Sequence, residues 1–221
     1  MNITEKLSGL AFENGYDVLQ EGGLAIVGMS PGNSYFKKGT INELLKFCAS
    51  KFSQVRIMVA DKPIEHSYKA LGYSCFKAKK KARLSGNTLK NHSLSTISGL
   101  VGDVKLIEWE KEIDQHASHN KELQKIISLY EGSNKFRQEV RETTRKVLKN
   151  KLREAIAIED AIDEGVFYLL KELAFLSASP EIFGIQKVTY VYHDHFEVFE
   201  HFVSGIYNGH KRGDLGFVII S

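Results

Sequence analysis

The chain has 221 residues, 43% of them hydrophobic and 26% charged, with three prolines and a net charge of +3. That length holds one sizeable α/β core and is short for two, so a single domain over residues 1–221 is expected. Two cysteines, Cys48 and Cys75, exclude a disulfide framework. No run approaches the roughly 18 apolar residues of a transmembrane helix, and the opening MNITEKLSGLAFENGYD has no basic leader before an apolar core, so the cytoplasm is the expected compartment.

In chain order, apolar runs predict strands at Leu24–Gly28, Val55–Ala60, Val104–Trp109, Lys187–His193 and Gly216–Ile220. Thr40–Phe52 has helical spacing, with Ile41, Leu44, Leu45 and Phe47 on one broad face. Pro63–Leu71 reads as a short helix begun by proline, and Ala78–Leu84 as another that ends near Ser85-Gly86. A long helical region is expected from about Asn134 to Leu176, broken near Gly165. Strand–helix alternation in the first half implies a parallel sheet covered by helices.

The small net charge conceals two concentrations. Residues 77–90 carry Lys77, Lys79, Lys80, Lys81, Arg83 and Lys90 with no acid, a local +6. Residues 135–153 carry eight basic side chains against Glu139 and Glu142, again +6, which leaves the rest of the chain at −9. Arg137, Arg141, Arg145, Lys149 and Arg153 recur every four residues as a slowly winding stripe, and Val140, Val147, Leu148 and Leu152 are the expected packed face opposite.

The most informative stretch is AIVGMSPGNSYF at 25–36, a buried strand running into a polar turn, a common place for chemistry in an α/β fold. A phosphate loop does not fit, because Gly28 to Gly32 is too short for that spacing and no Gly-Lys-Ser/Thr follows. Gly28-Met29-Ser30-Pro31-Gly32 matches the G-x-S-x-G nucleophile elbow literally. In that elbow the residue after the serine donates its N–H to the oxyanion, and Pro31 has none. Elsewhere Tyr168 and Glu172 stand four apart on one helical face, and Tyr190 and Tyr192 alternate along a strand and share a side. Each of these patterns, taken singly, is an ordinary structural one.

Together, VGMSPGNSYF at 27–36, DKPIEHSYKALGY at 61–73, the basic FRQEVRETTRKVLKNKLR region, YLLKE at 168–172 and VYH at 191–193 resemble the cyclodipeptide synthases. The likeness runs from about residue 24 to 205. It implies a single Rossmann-like α/β domain, similar to the catalytic domain of class I tyrosyl- and tryptophanyl-tRNA synthetases. It further implies that Ser30 takes an aminoacyl group from one aminoacyl-tRNA, that a second aminoacyl-tRNA is then engaged, and that the dipeptidyl-enzyme closes to a diketopiperazine. Tyr168 and Glu172 fall on the residues that anchor the amino group, Tyr192 on the strand tyrosine and Asn33 on the motif asparagine, while Gly28 leaves room for the acyl group. No HIGH-type or KMSKS-type motif is present, and an aminoacyl ester is already activated, so no ATP, metal or other cofactor is implied.

With such a partner, the stripe from Arg137 to Arg153 and the cluster Lys77–Arg83 become two ridges for tRNA phosphates, which position the nucleic acid without reading its sequence. A weak serine nucleophile needs activation, for which the vicinal hydroxyl of the tRNA ester, assisted by Tyr192, is the expected relay. Glu172 must be ionised to hold an ammonium, so partial exposure or a cationic partner is expected. Ile26 and Gly28 share a face leading to Ser30, and Tyr190 brings a hydroxyl toward the first pocket, which hints at a small or polar first residue and leaves an aliphatic or aromatic one open. A monomer that uses no membrane is expected. Two rivals stand beside this reading: a serine hydrolase or acyltransferase, and a non-catalytic aminoacyl-tRNA-binding protein.

Overall fold

The computed structural model describes residues 23–149, 151–152, 156–207 and 215–220. Five parallel strands, β1 (Leu24–Met29), β2 (Gln54–Val59), β3 (Asp103–Ile107), β4 (Val188–Tyr192) and β5 (Leu215–Ile219), form one sheet in the order β3-β2-β1-β4-β5. The order reverses between β1 and β4, so their C-terminal ends flank the crevice in which open α/β sheets place their ligands. Ser30 follows β1 directly, and Tyr192 ends β4.

The sheet is covered on both faces along β1 and β5, which read as unbroken apolar runs, while the edge strand β3 carries the exposed Lys105. Period-two alternation sorts the strand residues into two cores. Leu24, Ile26, Met58, Ile107, Tyr190 and Phe217 pack on one side with α6 (Ile158–Phe183), α4 (Ala117–Gly132) and α5 (Asn134–Leu148). Ala25, Val27, Ile57, Val59 and Val191 pack on the other against α1 (Lys38–Lys51), whose buried Ile41, Leu44, Leu45, Phe47 and Cys48 form the face its spacing predicted. Two further helices, α2 (Ile64–Ala70) and α7 (Glu197–Val203), follow β2 and β4.

Three expectations need correction, two of helices and one of a strand. The segment expected to stop near Ser85-Gly86 is instead a 23-residue helix, α3 (Cys75–Ile97), capped by the Ser74 hydroxyl. Gly86 does not end it: a Cβ there would collide with the Cβ of Asp61, so the glycine permits close packing in mid-helix. The long region from 134 breaks after Leu148, well before Gly165, which lies inside α6 against Thr144 and Leu148. Trp109 does not extend β3 but starts a π-helical turn, Trp109–Ile113, its indole N–H donating to Asp114 Oδ1 at 2.8 Å. Neither that turn nor α4 was anticipated, because charged residues interrupt their apolar spacing.

The basic stripe is also shorter than its period suggests. Helix α5 ends at Leu148, Lys149 caps it, and Arg153 lies outside the described residues. On the opposite face Val140 and Leu148 are buried as expected, but Val147 is 41% exposed. No described helix is long and apolar enough to cross a membrane.

Candidate active site

Ser30 stands where the strand gives way to a turn closed by Asn33 N–H donating to the Ser30 carbonyl, with Gly32 at φ 79°. Its hydroxyl lies 2.8 Å from the Tyr168 hydroxyl and 2.9 Å from that of Tyr192. Tyr168 donates to Glu172 Oε1 at 2.8 Å, a bond made possible by their i, i+4 spacing on α6. Counting protons then orders the chain. Because Tyr168 gives its hydrogen to Glu172, it can only accept from Ser30, and Ser30 in turn accepts from Tyr192. The four groups brought together come from the ends of β1 and β4 and from mid-α6.

Burial controls the electrostatics. Glu172 is 5% exposed, and desolvation pushes its carboxyl up to about 8, only partly opposed by the Tyr168 hydrogen bond. Among the described residues Glu172 has neither the expected exposure nor a cationic partner; Tyr168 is its hydrogen-bond partner. A desolvated carboxyl that has no cation beside it keeps its proton to higher pH. Burial likewise raises the phenols of Tyr168, Tyr190 and Tyr192, so all three are neutral hydrogen-bonding groups at physiological pH.

Asn33 acts on the turn and on the next residue of β4. Its Oδ1 accepts from the Tyr35 N–H at 3.0 Å, which fixes the amide so that Nδ2 donates to His193 Nε2 at 2.7 Å. His193 is thereby held as the Nδ1–H tautomer, and burial keeps its pKa below the ordinary value. The ring also stacks on Tyr35, 4.3 Å between centroids at 17°. No imidazole contacts Ser30 among the described residues; its hydrogen-bond partners are the two phenols.

These groups line a cleft of about 270 Å³. Ile64, Ser67, Tyr68 and Leu71 of α2 and its end form one wall, and Thr144 and Val147 of α5 contribute another. The sequence alone assigned the α2 residues no role, although their i, i+3, i+4, i+7 spacing marks a common face. Ile26, expected at the first pocket, is fully buried in the core. Gly28 keeps its place beneath Ser30, but the room above it is already taken by the Tyr190 hydroxyl.

The two basic ridges differ in their bonds. On α3, Lys77, Lys79, Lys80, Lys81 and Arg83 are exposed and form no ion pair among the described residues. Lys81 sits 4.9 Å over the Tyr73 ring and 5.6 Å over that of Tyr68, at the edge of the cleft. Lys79, Lys80 and Arg83 line a second, larger groove with Phe76. On α5, Arg141 pairs with Glu159 and Asp163, and Arg145 with Glu159 at 2.7 Å. Arg137 donates to the carbonyls of Tyr130 and Glu131 at the C-terminal end of α4. Lys149 is exposed.

Comparison with known proteins agrees with this architecture. The family model described as cyclodipeptide synthase matches residues 11–221. The chain is 21% identical over 213 residues to a cyclo(L-leucyl-L-leucyl) synthase of Bacillus subtilis, covering 94% of this chain and 86% of the relative. Among solved structures, a cyclodipeptide synthase from Bacillus thermoamylovorans superposes with TM-score 0.82 at 22% identity, over 96% of this chain and 94% of that one. Another, from Candidatus Glomeribacter gigasporarum and bound to Phe-tRNAPhe, gives TM-score 0.62 at 19% identity over 90% and 87%. A tyrosyl-tRNA synthetase from Archaeoglobus fulgidus shares the fold at TM-score 0.55 and 14% identity, over all of this chain and 65% of that one.

Proposed function

The chain belongs to the cyclodipeptide synthase family, and from that premise we propose that it joins two aminoacyl groups, delivered by two aminoacyl-tRNAs, in a ping-pong sequence carried on Ser30. The observation that carries the reading is the Ser30 hydroxyl set between two neutral phenols, one of them bonded to a buried carboxyl.

In the first step Ser30 Oγ attacks the ester carbon of an aminoacyl-tRNA. The Oγ–acyl bond forms, the bond to the ribose oxygen breaks, and the serine proton ends on the released tRNA hydroxyl through the vicinal hydroxyl, with Tyr192 bonded to Oγ. The acyl ammonium comes to lie beside Glu172. Its arrival favours the carboxylate, so a group that is desolvated in the empty site becomes half of an ion pair. In the second step that nitrogen attacks the ester of the second aminoacyl-tRNA, for which it must first lose a proton. The Glu172 carboxylate beside it is the adjacent acceptor for that proton, and the bond from the transferred acyl carbon to the second tRNA's ribose oxygen breaks as the peptide bond forms. The dipeptide's terminal amine then attacks the Ser30 ester, freeing the hydroxyl and a diketopiperazine. No ATP is required, since each ester brings its own activation.

Of the basic residues, the unpaired side chains of α3 are the better suited to tRNA phosphates. Using Arg141 or Arg145 would mean breaking ion pairs that join α5 to α6. The hydrolase rival is less well supported, because no imidazole contacts Ser30 among the described residues and Pro31 offers no N–H. The test is mass spectrometry of the medium of a bacterial host expressing the protein, beside a Ser30→Ala control. Diketopiperazines that appear only with Ser30 are expected. Their absence in both, with soluble protein and a full pool of charged tRNA supplied, would contradict the reading.

A further inference from the structure

We propose that His119 is an acid-sensitive brace on α6: while its ring is neutral, α4 and the Trp109 turn hold the helix that carries Tyr168 and Glu172, and a proton on the ring loosens that hold. His119 lies in the first turn of α4, which packs along α6. It is 1% exposed, and neither ring nitrogen finds a hydrogen-bond partner among the described residues. Buried polar side chains are nearly always paired, so an imidazole with two idle nitrogens inside a helix interface is exceptional.

The ring joins a small set of contacts that reach α6. It meets the Trp109 indole edge-on at 6.0 Å, and Trp109 packs on Phe175 of α6 at 5.7 Å. Asp114 ties the same place together. Its carboxylate accepts from the indole N–H at 2.8 Å and lies 3.9 Å from the Lys171 ammonium of α6, while its carbonyl accepts from Asn120 of α4 at 3.1 Å. Lys171 and Phe175 thus hold α6 immediately before Glu172 and one turn beyond Tyr168's own contact with it.

The charged and titratable groups around the ring come from three elements. Asp114 faces it from the turn, Lys171 from α6 and His116 from the cap of its own helix. Of their acidic neighbours, Glu110 is engaged by Lys62, Glu112 by the Glu108 N–H, and Glu122 by Lys125 and Ser177. Burial is the largest influence and holds the His119 pKa below its ordinary value. Asp114 and the Lys171 carbonyl, which lies outside hydrogen-bond geometry, favour the charged ring; the Lys171 ammonium and His116 oppose it. The N-terminal end of a helix opposes a cation as well.

A neutral ring serves as a flat, weakly polar plate against Trp109. A protonated one would carry a charge and two N–H donors into a dry interface without an acceptor, and leaving that interface rehydrates it. Because folding depresses the pKa, the stability contributed by the neutral ring is whole above about 6.5 and is lost as pH falls through the folded value. At pH 5.5, one unit below the ordinary value, the proton favours the opened interface by at most about tenfold.

The test is hydrogen exchange of the purified protein, read by mass on peptides from α4, from α6 and, as a control, from α1 on the opposite face of the sheet. Wild type is compared with His119→Phe and His119→Gln at the same pH, so that the intrinsic pH dependence of exchange and the titration of His193 cancel. The ratio of wild-type to variant rates at pH 7.5 is the baseline. At pH 5.5 that ratio should rise several-fold in α4 and in α6 around Lys171–Phe175, and stay level in α1. Both variants should also keep a larger share of their pH 7.5 rate of diketopiperazine release than wild type does. Ratios in α4 and α6 that do not change with pH overturn the proposal, and so does an equal rise in α1, which would mark global unfolding. Equal loss of rate in all three proteins would overturn the link from brace to site. The glutamine variant, smaller and unable to ionise, decides the matter if phenylalanine does not fit, and the exchange measurement needs no turnover, so its result stands apart from the proposed function.

Discussion

Replacing Glu172 with glutamine removes a buried carboxyl whose pKa burial raises from 4.5 to about 8. The folded value lies above the unfolded one. Between those two values the folded protein holds a proton that the unfolded chain has released, so stability falls as pH rises through the window. At about 1.4 kcal/mol per unit the full effect is at most about 5 kcal/mol, of which about 3 kcal/mol is lost by pH 7. Glutamine retains an oxygen for the Tyr168 hydroxyl but cannot ionise, so its variant lacks this slope. Thermal melting of both proteins from pH 5 to 8.5 isolates the effect in the difference between their Tm values, where other titrating groups cancel. For a chain of this size the variant should gain on the wild type by roughly 8–16 °C across that range, about 4 kcal/mol at about 2–4 °C per kcal/mol. A difference that stays flat with pH would refute the reasoning, since Glu172 would then ionise as readily in the empty cleft as in the unfolded chain.

Tyr192→Phe removes the hydroxyl that donates to Ser30 and should slow product formation on the order of 100-fold in kcat with little change in KM, measured by initial rates of diketopiperazine release. Neutralising Lys79 and Lys80 together should raise KM for aminoacyl-tRNA and flatten its dependence on salt, by nearly one unit of log–log slope for each duplex phosphate that is no longer neutralised. Arg141→Ala should instead lower Tm and leave the salt slope unchanged, because its guanidinium is paired with Glu159 and Asp163. Activity should fall as pH drops below the ordinary histidine range. His193, its pKa held down by burial, contributes stability that is present above about 6.5 and lost at lower pH, where a protonated Nε2 can no longer accept from Asn33. A pH–rate profile that is flat from 7 down to 5 would contradict this.

Much of the site was legible in the sequence because its parts obey short periodicities. The two-residue alternation of Tyr190 and Tyr192 and the four-residue step from Tyr168 to Glu172 each survive into the structure. The end of β1 was marked by apolar residues giving way to Ser-Pro-Gly-Asn. What could not be read depended on contacts between distant segments. Gly86 looked like a helix stop and instead packs against Asp61, on the far side of α2 in the chain. Arg141 and Arg145 looked like free cations on a regular stripe, and their partners lie on another helix. The surroundings of Glu172 were misjudged for a similar reason: spacing places the residue on a face but does not say how dry that face is. Gly28 read as open space, and only the lean of a ring from β4 shows it to be filled.

The most direct measurement of the central claim is peptide mapping after rapid acid quench of the protein with a charged tRNA pool. An aminoacyl or dipeptidyl mass is expected on the peptide that contains Ser30, chased into diketopiperazine when quenching is delayed, and absent in Ser30→Ala. Diketopiperazine formed at an undiminished rate by Ser30→Ala, or the adduct found on a different residue, would contradict it.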